Sequence, residues 1–206
     1  GDGDRALFVD HHGHRVDGDA VMLICADQLR RESALAGGAI VATVMSNIGL
    51  EIALRERGVE LVRCAVGDKY VMEEMLRRGL ALGGEQSGHV IFASHLFTGD
   101  GIATALHVLR AMIATGHELA TLAAMLTSYP QVLVNVRVRE RTDISQVPAV
   151  AAVMRDVEAR LAGHGRLLVR YSGTEPLLRI MLEGRDQAEI RVWADEIAHA
   201  VRATLA

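Results

Sequence analysis

The hydrophobic period of this chain changes once, at Tyr129-Pro130, and that change limits the folds open to it. Upstream, short β-rich runs alternate with segments whose apolar residues recur every three to four positions. Residues 39–44 and 59–66 read as strands, and residues 80–82 and 89–93 as shorter strands around a Gly-rich loop. Residues 20–32, the segment carrying Leu50, Ala53 and Leu54, and residues 68–78 read as helices. Residues 100–115 and 118–126 add two more. Asp19 is placed to cap the first helix, and Gly58 and Gly79 to stop the second and third. Residues 68–78 set Val71, Met72, Met75 and Leu76 on one face. Ahead of all these, residues 6–10 read as a strand entering a turn at His11-His12-Gly13-His14. Alternation of this kind predicts an α/β domain with a mixed, mostly parallel sheet between helices.

Downstream, Val132, Val134, Val136 and Val138 alternate at period two, the spacing of a strand with one buried face. Residues 147–161 read as a helix, residues 166–171 and 177–183 as two strands flanking a loop, and residues 188–205 as a closing amphipathic helix. The order β-α-β-β-α predicts a smaller α+β domain, its antiparallel sheet covered by helices on one face. Half of the 206 residues are apolar, enough for two cores, and with aromatics at 3% both cores must be aliphatic. The net charge of −4 is spread along the chain, which argues against nucleic acid or an acidic membrane as partner. No apolar run approaches the roughly 20 residues of a spanning helix. Cys25 and Cys64 each sit in apolar segments and read as buried thiols of a reducing compartment, the cytoplasm. The chain opens on Gly1-Asp2-Gly3-Asp4-Arg5, with neither an initiator Met nor a signal segment, and reads as a fragment.

Three strings carry chemistry. Asp2-Gly3-Asp4-Arg5 places carboxylates at alternate positions around a glycine, an oxygen donor pair suited to a hard cation such as Mg²⁺. The same tripeptide at Asp17-Gly18-Asp19 reads as a turn and helix cap. Gly83-Gly84-Glu85-Gln86-Ser87-Gly88-His89 sets Glu, Ser and His at alternate positions in a Gly-rich loop. A carboxylate and a hydroxyl there suit neighbouring hydroxyls of a sugar, and an ordinary surface connection has the same composition. Arg170-Tyr171-Ser172-Gly173-Thr174-Glu175-Pro176, with Arg179 beyond, joins two apolar β runs. Two guanidiniums, two hydroxyls and a glycine form a phosphate cradle without the Gly-Lys-Ser/Thr of a Walker loop, or else a hairpin with exposed arginines. His11, His12 and His14 read as a hydrated turn rather than a chelate. Asp68-Lys69 caps a helix or faces a cleft.

Together these strings resemble the α-D-phosphohexomutase superfamily and, within it, the bacterial phosphoglucosamine mutases. Thr43-Val44-Met45-Ser46-Asn47, Gly67-Asp68-Lys69-Tyr70-Val71, Gly84-Glu85-Gln86-Ser87-Gly88-His89, Thr98-Gly99-Asp100-Gly101 and Ser172-Gly173-Thr174-Glu175-Pro176 follow the family's order over essentially the whole chain. Family members have four domains. The first carries a serine that is phosphorylated in the active enzyme, and the second ends in a metal loop, Asp-Gly-Asp-Gly-Asp-Arg. Asp2, Asp4 and Arg5 match the end of that loop, whose first Asp would precede Gly1.

The resemblance implies that residues 1–17 are the C-terminal tail of the metal-binding domain. Residues 18–128 become a sugar-binding α/β domain and residues 129–206 a phosphate-binding α+β domain. It implies Mg²⁺ at Asp2 and Asp4, catalytic roles for Arg5, Lys69 and His89, and sugar binding by Glu85, Ser87 and His89. Phosphate binding falls to Arg170, Ser172, Gly173, Thr174 and Arg179. The implied reaction interconverts glucosamine 6-phosphate and glucosamine 1-phosphate through a phosphoserine and a bisphosphate, feeding amino-sugar nucleotide and cell-wall synthesis. The implied partners are a hexosamine phosphate substrate and the N-terminal half of the same enzyme, so the fragment alone is expected to be inactive. The alternatives are a sibling mutase acting on glucose or mannose phosphates, and a non-catalytic sugar-phosphate binding module.

Overall fold

The computed structural model describes residues 1–173 and 175–205. The chain divides into two compact units, Gly1–Ser128 and Tyr129–Ala206. The first unit opens on a small antiparallel hairpin, β1 (Phe8–Val9) and β2 (Arg15–Val16). It continues through α1 (Gly18–Arg31), β3 (Ala39–Thr43), α2 (Ile48–Glu56), β4 (Glu60–Cys64) and α3 (Asp68–Arg78). Then come β5 (Leu82–Gly84), β6 (Val90–Phe92), α4 (Gly101–Thr115) and α5 (Leu119–Ala123). The four-stranded sheet has the order β4-β3-β5-β6, parallel except for β6, which pairs antiparallel with β5 at the edge. This is the mixed, mostly parallel sheet that the alternating pattern predicts.

Strand β3 is buried along its whole length because both faces of the sheet are covered. Ile40 and Ala42 join the cluster built on Met22, Leu23, Leu50 and Leu54, whereas Ala39 and Val41 pack with Val62, Val71 and Met75. Asp17, not Asp19, caps α1: its carboxylate accepts from the Asp19 and Ala20 N–H groups at 3.1 and 3.2 Å. Asp19 lies one residue inside the helix, 1% exposed. Met75 and Val71 turn inward from α3, but Leu76 remains 54% exposed, so the buried face is narrower than its apolar pattern.

Strand β5 starts two residues later than expected because the Leu80 N–H closes the end of α3 on the Met75 carbonyl, around left-handed Gly79. Helix α5 is shorter than its pattern because Met125 and Leu126 already bond three residues back. Cys25 is buried, while Cys64 is only half-buried, and both are free thiols. Burial raises their pKa values to about 12 and about 11, which keeps both protonated. No helix among the described residues is long and apolar enough to cross a membrane.

The second unit runs β7 (Gln131–Arg137), α6 (Pro148–Leu161), β8 (Arg166–Tyr171), β9 (Leu177–Glu183) and α7 (Gln187–Leu205). Its antiparallel sheet has the order β7-β9-β8. Period two decides the layering. Val132, Val134 and Val136 of β7 and Leu178, Ile180 and Leu182 of β9 share one core with Val150 and Val157 of α6 and Ile190, Ile197 and Val201 of α7. The helices therefore cover one face of the sheet, as expected.

Candidate functional site

Parallel pairing delivers the C-terminal ends of β3, β4 and β5 to the same edge of the first unit's sheet, where open α/β sheets hold their ligands. The turn after β5 is tight: the Glu85 N–H donates to the His89 carbonyl at 2.8 Å, and the Gly88 N–H to the Glu85 carbonyl at 3.0 Å. Gly88 has φ +94°, a conformation that favours glycine. The Glu85 carboxylate is held on both oxygens. One accepts from the Gly67 N–H at 3.1 Å, the other from the Ser87 hydroxyl at 3.1 Å. A cavity of about 260 Å³ opens there, lined by Arg15, Thr43, Met45, Val66, Glu85, Gln86 and Ser87.

Two strings far apart in sequence, residues 43–47 and 84–89, thus meet on one cavity, and a third bonds Glu85 through its Gly67 N–H. Arg15, on β2, belongs to no recognised string; only its basic charge beside the first acidic turn hints at it. Lys69 stands on the first turn of α3, paired with Glu73 at 3.7 Å, and is not among the lining residues. The Gly67 N–H, rather than Lys69, is what this string supplies to Glu85. Behind the cavity, Asp19 anchors the loop of residues 43–47 by accepting from the Asn47 N–H at 2.8 Å. Burial raises the Asp19 pKa to about 6, against hydrogen bonds from Asn47 and Ser46 that favour the charge.

The acidic loop packs beside this turn. The Ala6 N–H donates to the Gly88 carbonyl at 3.1 Å, and Arg5 and His89 form an antiparallel bridge. The Asp4 carboxylate receives His89 Nδ1 at 3.0 Å and lies 3.5 Å from Arg5 Nε. The hydrogen bond from His89, followed by contact with the Asp2 carboxyl, holds Asp4 below the usual carboxylate range. His89 is 4% exposed, and its other nitrogen accepts from the Gly99 N–H at 3.1 Å. Both ring nitrogens are engaged, one with Asp4 and the other with Gly99, and His89 is not among the residues lining the cavity. Asp2 and Asp4 bring two carboxylates together around Gly3, and such oxygen donors fit a hard cation. Among the described residues no group of three or more His, Cys, Asp or Glu forms a fuller metal shell, so the pair is a partial donor set.

In the second unit, Arg170 and Arg179 are direct partners across β8 and β9, which puts both side chains on one face of the sheet. Arg179 Nη2 donates to the Ser172 hydroxyl at 3.3 Å and to Glu175 at 3.2 Å. Its Nε is buried and makes no hydrogen bond among the described residues. Ser172 is 1% exposed, and its hydroxyl also accepts from the Glu175 N–H at 3.3 Å. Thr174, the remaining hydroxyl of the expected cradle, lies outside the described residues. Arg141 adds a third guanidinium, donating to the Ser172 and Gly173 carbonyls at 2.7 and 3.1 Å. Sequence reading misses it because it follows β7, and only the β7–β9 pairing brings that segment to the loop. Tyr171 holds it there: its hydroxyl donates to the Thr142 carbonyl at 2.7 Å and accepts from the Thr142 N–H at 3.2 Å.

Against known proteins, a family model described as phosphoglucomutase/phosphomannomutase, alpha/beta/alpha domain III, matches residues 17–129. The C-terminal domain model of the same family matches residues 133–200. A phosphoglucosamine mutase of Geobacter sp. (strain M21) is 55% identical over 205 residues, covering 100% of this chain and 45% of that protein. One from Desulforudis audaxviator is 50% identical over 201 residues, covering 98% of this chain and 45% of that protein. The chain thus spans a little under half the length of these relatives. Among solved structures, Aspergillus fumigatus N-acetylphosphoglucosamine mutase in complex with GlcNAc-6P and magnesium superposes with a TM-score of 0.77 at 22% identity. The match covers 98% of this chain and 50% of that one, a likeness of fold.

Proposed function

The chain belongs to the phosphoglucomutase/phosphomannomutase family, and from that premise we propose that it is the sugar- and phosphate-holding part of a phosphoglucosamine mutase. The carrying observation is the meeting of two distant strings on one cavity, with Glu85 oriented by Gly67 of a third, that offers a carboxylate, hydroxyls and a guanidinium to a polyhydroxylated ligand. The name borne by relatives at 50–55% identity over almost the whole chain supports hexosamine phosphate as that ligand.

In this reading a phosphoserine in the N-terminal portion of the whole enzyme donates its phosphoryl group to glucosamine 6-phosphate. The resulting bisphosphate turns over, and the other phosphate returns to the serine. This chemistry depends on positioning and charge neutralisation rather than covalent help from these residues. Glu85, already oriented by Gly67 and Ser87, accepts sugar O–H groups, and Ser87 contributes its hydroxyl. Arg170, Arg179, Ser172, Thr174 and the N–H groups near Gly173 hold the phosphate that is not being transferred. Arg141 fixes the carbonyl side of that loop. Asp2 and Asp4 hold Mg²⁺, which when bound offsets phosphate charge, and Arg5 adds positive charge beside them. Lys69, on its surface ion pair with Glu73, is a candidate for proton handling or phosphate contact.

Glu85→Gln in the full-length protein tests the reading. The variant is expected to fold and to lose about 1.5–3 kcal/mol of interaction with the sugar, seen as slower turnover of glucosamine 6-phosphate. Unchanged kinetics in the folded variant would remove Glu85 from the sugar site. Faster turnover of glucose or mannose phosphate by wild type would make the protein a sibling mutase. A full-length wild type that turns over none of them would make it a binding module.

A further inference from the structure

Helix α4 is apolar on two opposite sides. Its 15 residues carry one fixed charge, at Arg110, which pairs with Glu32 at the end of α1 at 2.9 Å. One side turns inward. Thr104, Val108 and Ala111 are buried, Val108 in the cluster of α1 and β3 and Ala111 against Ile24. The other side repeats the pattern outward: Ile102, Leu106, Leu109 and Ile113 recur at helical spacing and share one stripe. These four are between 50% and 83% exposed. At 1.5 Å per residue the stripe is about 17 Å long.

A helix with one buried face gives water its polar side, as α3 does with Lys69, Glu73 and Arg77. A helix apolar on both sides packs on both sides. The stripe also has a concave border. A groove of about 380 Å³ separates α4 from the hairpin, lined by Phe8, Val9, Leu109, Met112 and Leu119 among others. Contiguous apolar surface of this kind marks a docking site rather than a solvated face.

We propose that the Ile102–Ile113 stripe docks the N-terminal portion of the full-length enzyme, through an aliphatic surface of that portion. Two observations select this occupant. The Geobacter relative matches the whole chain with 45% of its own length, and the family's C-terminal domain model falls on residues 133–200, so the remainder of such a protein lies ahead of these two domains. The acidic loop, through which that remainder joins, is pressed onto the start of α4. The Gly101 N–H donates to the Gly3 carbonyl at 2.8 Å, and a Cβ at Gly101 would collide with the Arg5 carbonyl. The covalent link to the N-terminal portion therefore runs beside Ile102, at one end of the stripe. Tethering there makes docking intramolecular, at an effective concentration that favours it over a second copy.

Carbene footprinting of the 206-residue chain and of the full-length protein, read residue by residue by mass spectrometry, tests the assignment. The four stripe residues are expected to label strongly in the chain and to lose that labelling in the full-length protein. Equal labelling in both overturns the proposal. Protection that arises in the chain itself as its concentration rises, together with a dimer mass, would give the face to a second copy instead. Leu106→Asp supplies the second reading. In the 206-residue chain its side chain meets water, and the melting midpoint is expected to hold. In the full-length protein the same change buries an unpaired carboxylate and is expected to lower the midpoint or prevent folding. An unchanged midpoint in both proteins overturns the proposal, as does an equal drop in both, which would make Leu106 a support of its own unit. Either failure leaves the sugar reading untouched, because the stripe shares no residue with the Glu85 cavity.

Discussion

Arg170 and Arg179 stand opposite each other on one face of a two-strand ladder, where like charges repel. Glu175 offsets one of them, and a bound phosphate would satisfy both along with the buried Arg179 Nε. Arg179→Ala and Arg170→Ala are each expected to cost about 2 kcal/mol of phosphate binding, roughly a thirtyfold weakening. NMR titration of the loop amides with a hexose phosphate measures it, with Arg155→Ala on the exposed side of α6 as control. Shifts clustering elsewhere, or two arginine variants that titrate like wild type, would make the loop a structural hairpin. Asp19 gives a separate residue-scale expectation. Its folded pKa of about 6 lies above its ordinary value of 3.8, so the folded state holds its proton more tightly. The stabilisation is complete below the unfolded pKa and is lost as pH rises through about 6, about 3 kcal/mol in all. Asp19→Asn, which keeps an acceptor for the Asn47 N–H, is expected to remove that component from denaturant melts between pH about 4 and about 7. The same pH dependence in variant and wild type would refute it. The strings alone single out Glu85, Ser172 and Arg179 as polar groups in short loops between apolar runs, a composition that an ordinary surface loop or hairpin shares. Arg15 and Arg141 are not legible, since each depends on a neighbour brought close by chain segments remote in sequence.

Among the elements, α1 shows how a repeated tripeptide misleads. Asp17 and Asp19 are both plausible caps by type, and the register is set by the turn between β5 and β6: the Gly18 N–H is held by the Gln86 carbonyl at 3.0 Å. That contact starts the helix at Gly18 and leaves Asp17 as the cap. Asp17→Ala is expected to destabilise the first unit by about 1 kcal/mol, read as a shift in its melting midpoint. A destabilisation of that size from Asp19→Asn at neutral pH, with none from Asp17→Ala, would return the cap to Asp19. Strand β9 is the central strand of its sheet, and its Ile180 is wholly buried beneath the helices. Ile180→Ala is expected to cost about 2–5 kcal/mol, the usual range for truncating a buried aliphatic side chain. Period and propensity predict all these elements because both are local properties. Their ends are decided by caps and by hydrogen bonds such as Leu80 to Met75, which is why β5 begins later than its apolar run suggests.

At the scale of the whole molecule, the cores divide as the units do: three clusters lie within the first unit and one within the second. The second unit has its own closed layer of sheet and helices. Residues 129–206 expressed alone are therefore expected to fold, with a dispersed amide spectrum and a cooperative melt. A collapsed, undispersed spectrum would show that this core is insufficient by itself. The sequence determined by itself the two periods, the change between them at Tyr129-Pro130, the class of each unit and the strings that carry polar chemistry. Those follow from spacing along the chain, and spacing is all that a helix or strand needs to select its buried face. Only the tertiary structure decided that Arg15, Thr43, Met45, Val66 and residues 85–87 share a cavity, and that His89 bonds Asp4. It also decided that Arg141 joins the loop of Arg179. Parallel pairing and antiparallel register bring together groups tens of residues apart, and no local pattern records which of the available polar side chains will then meet.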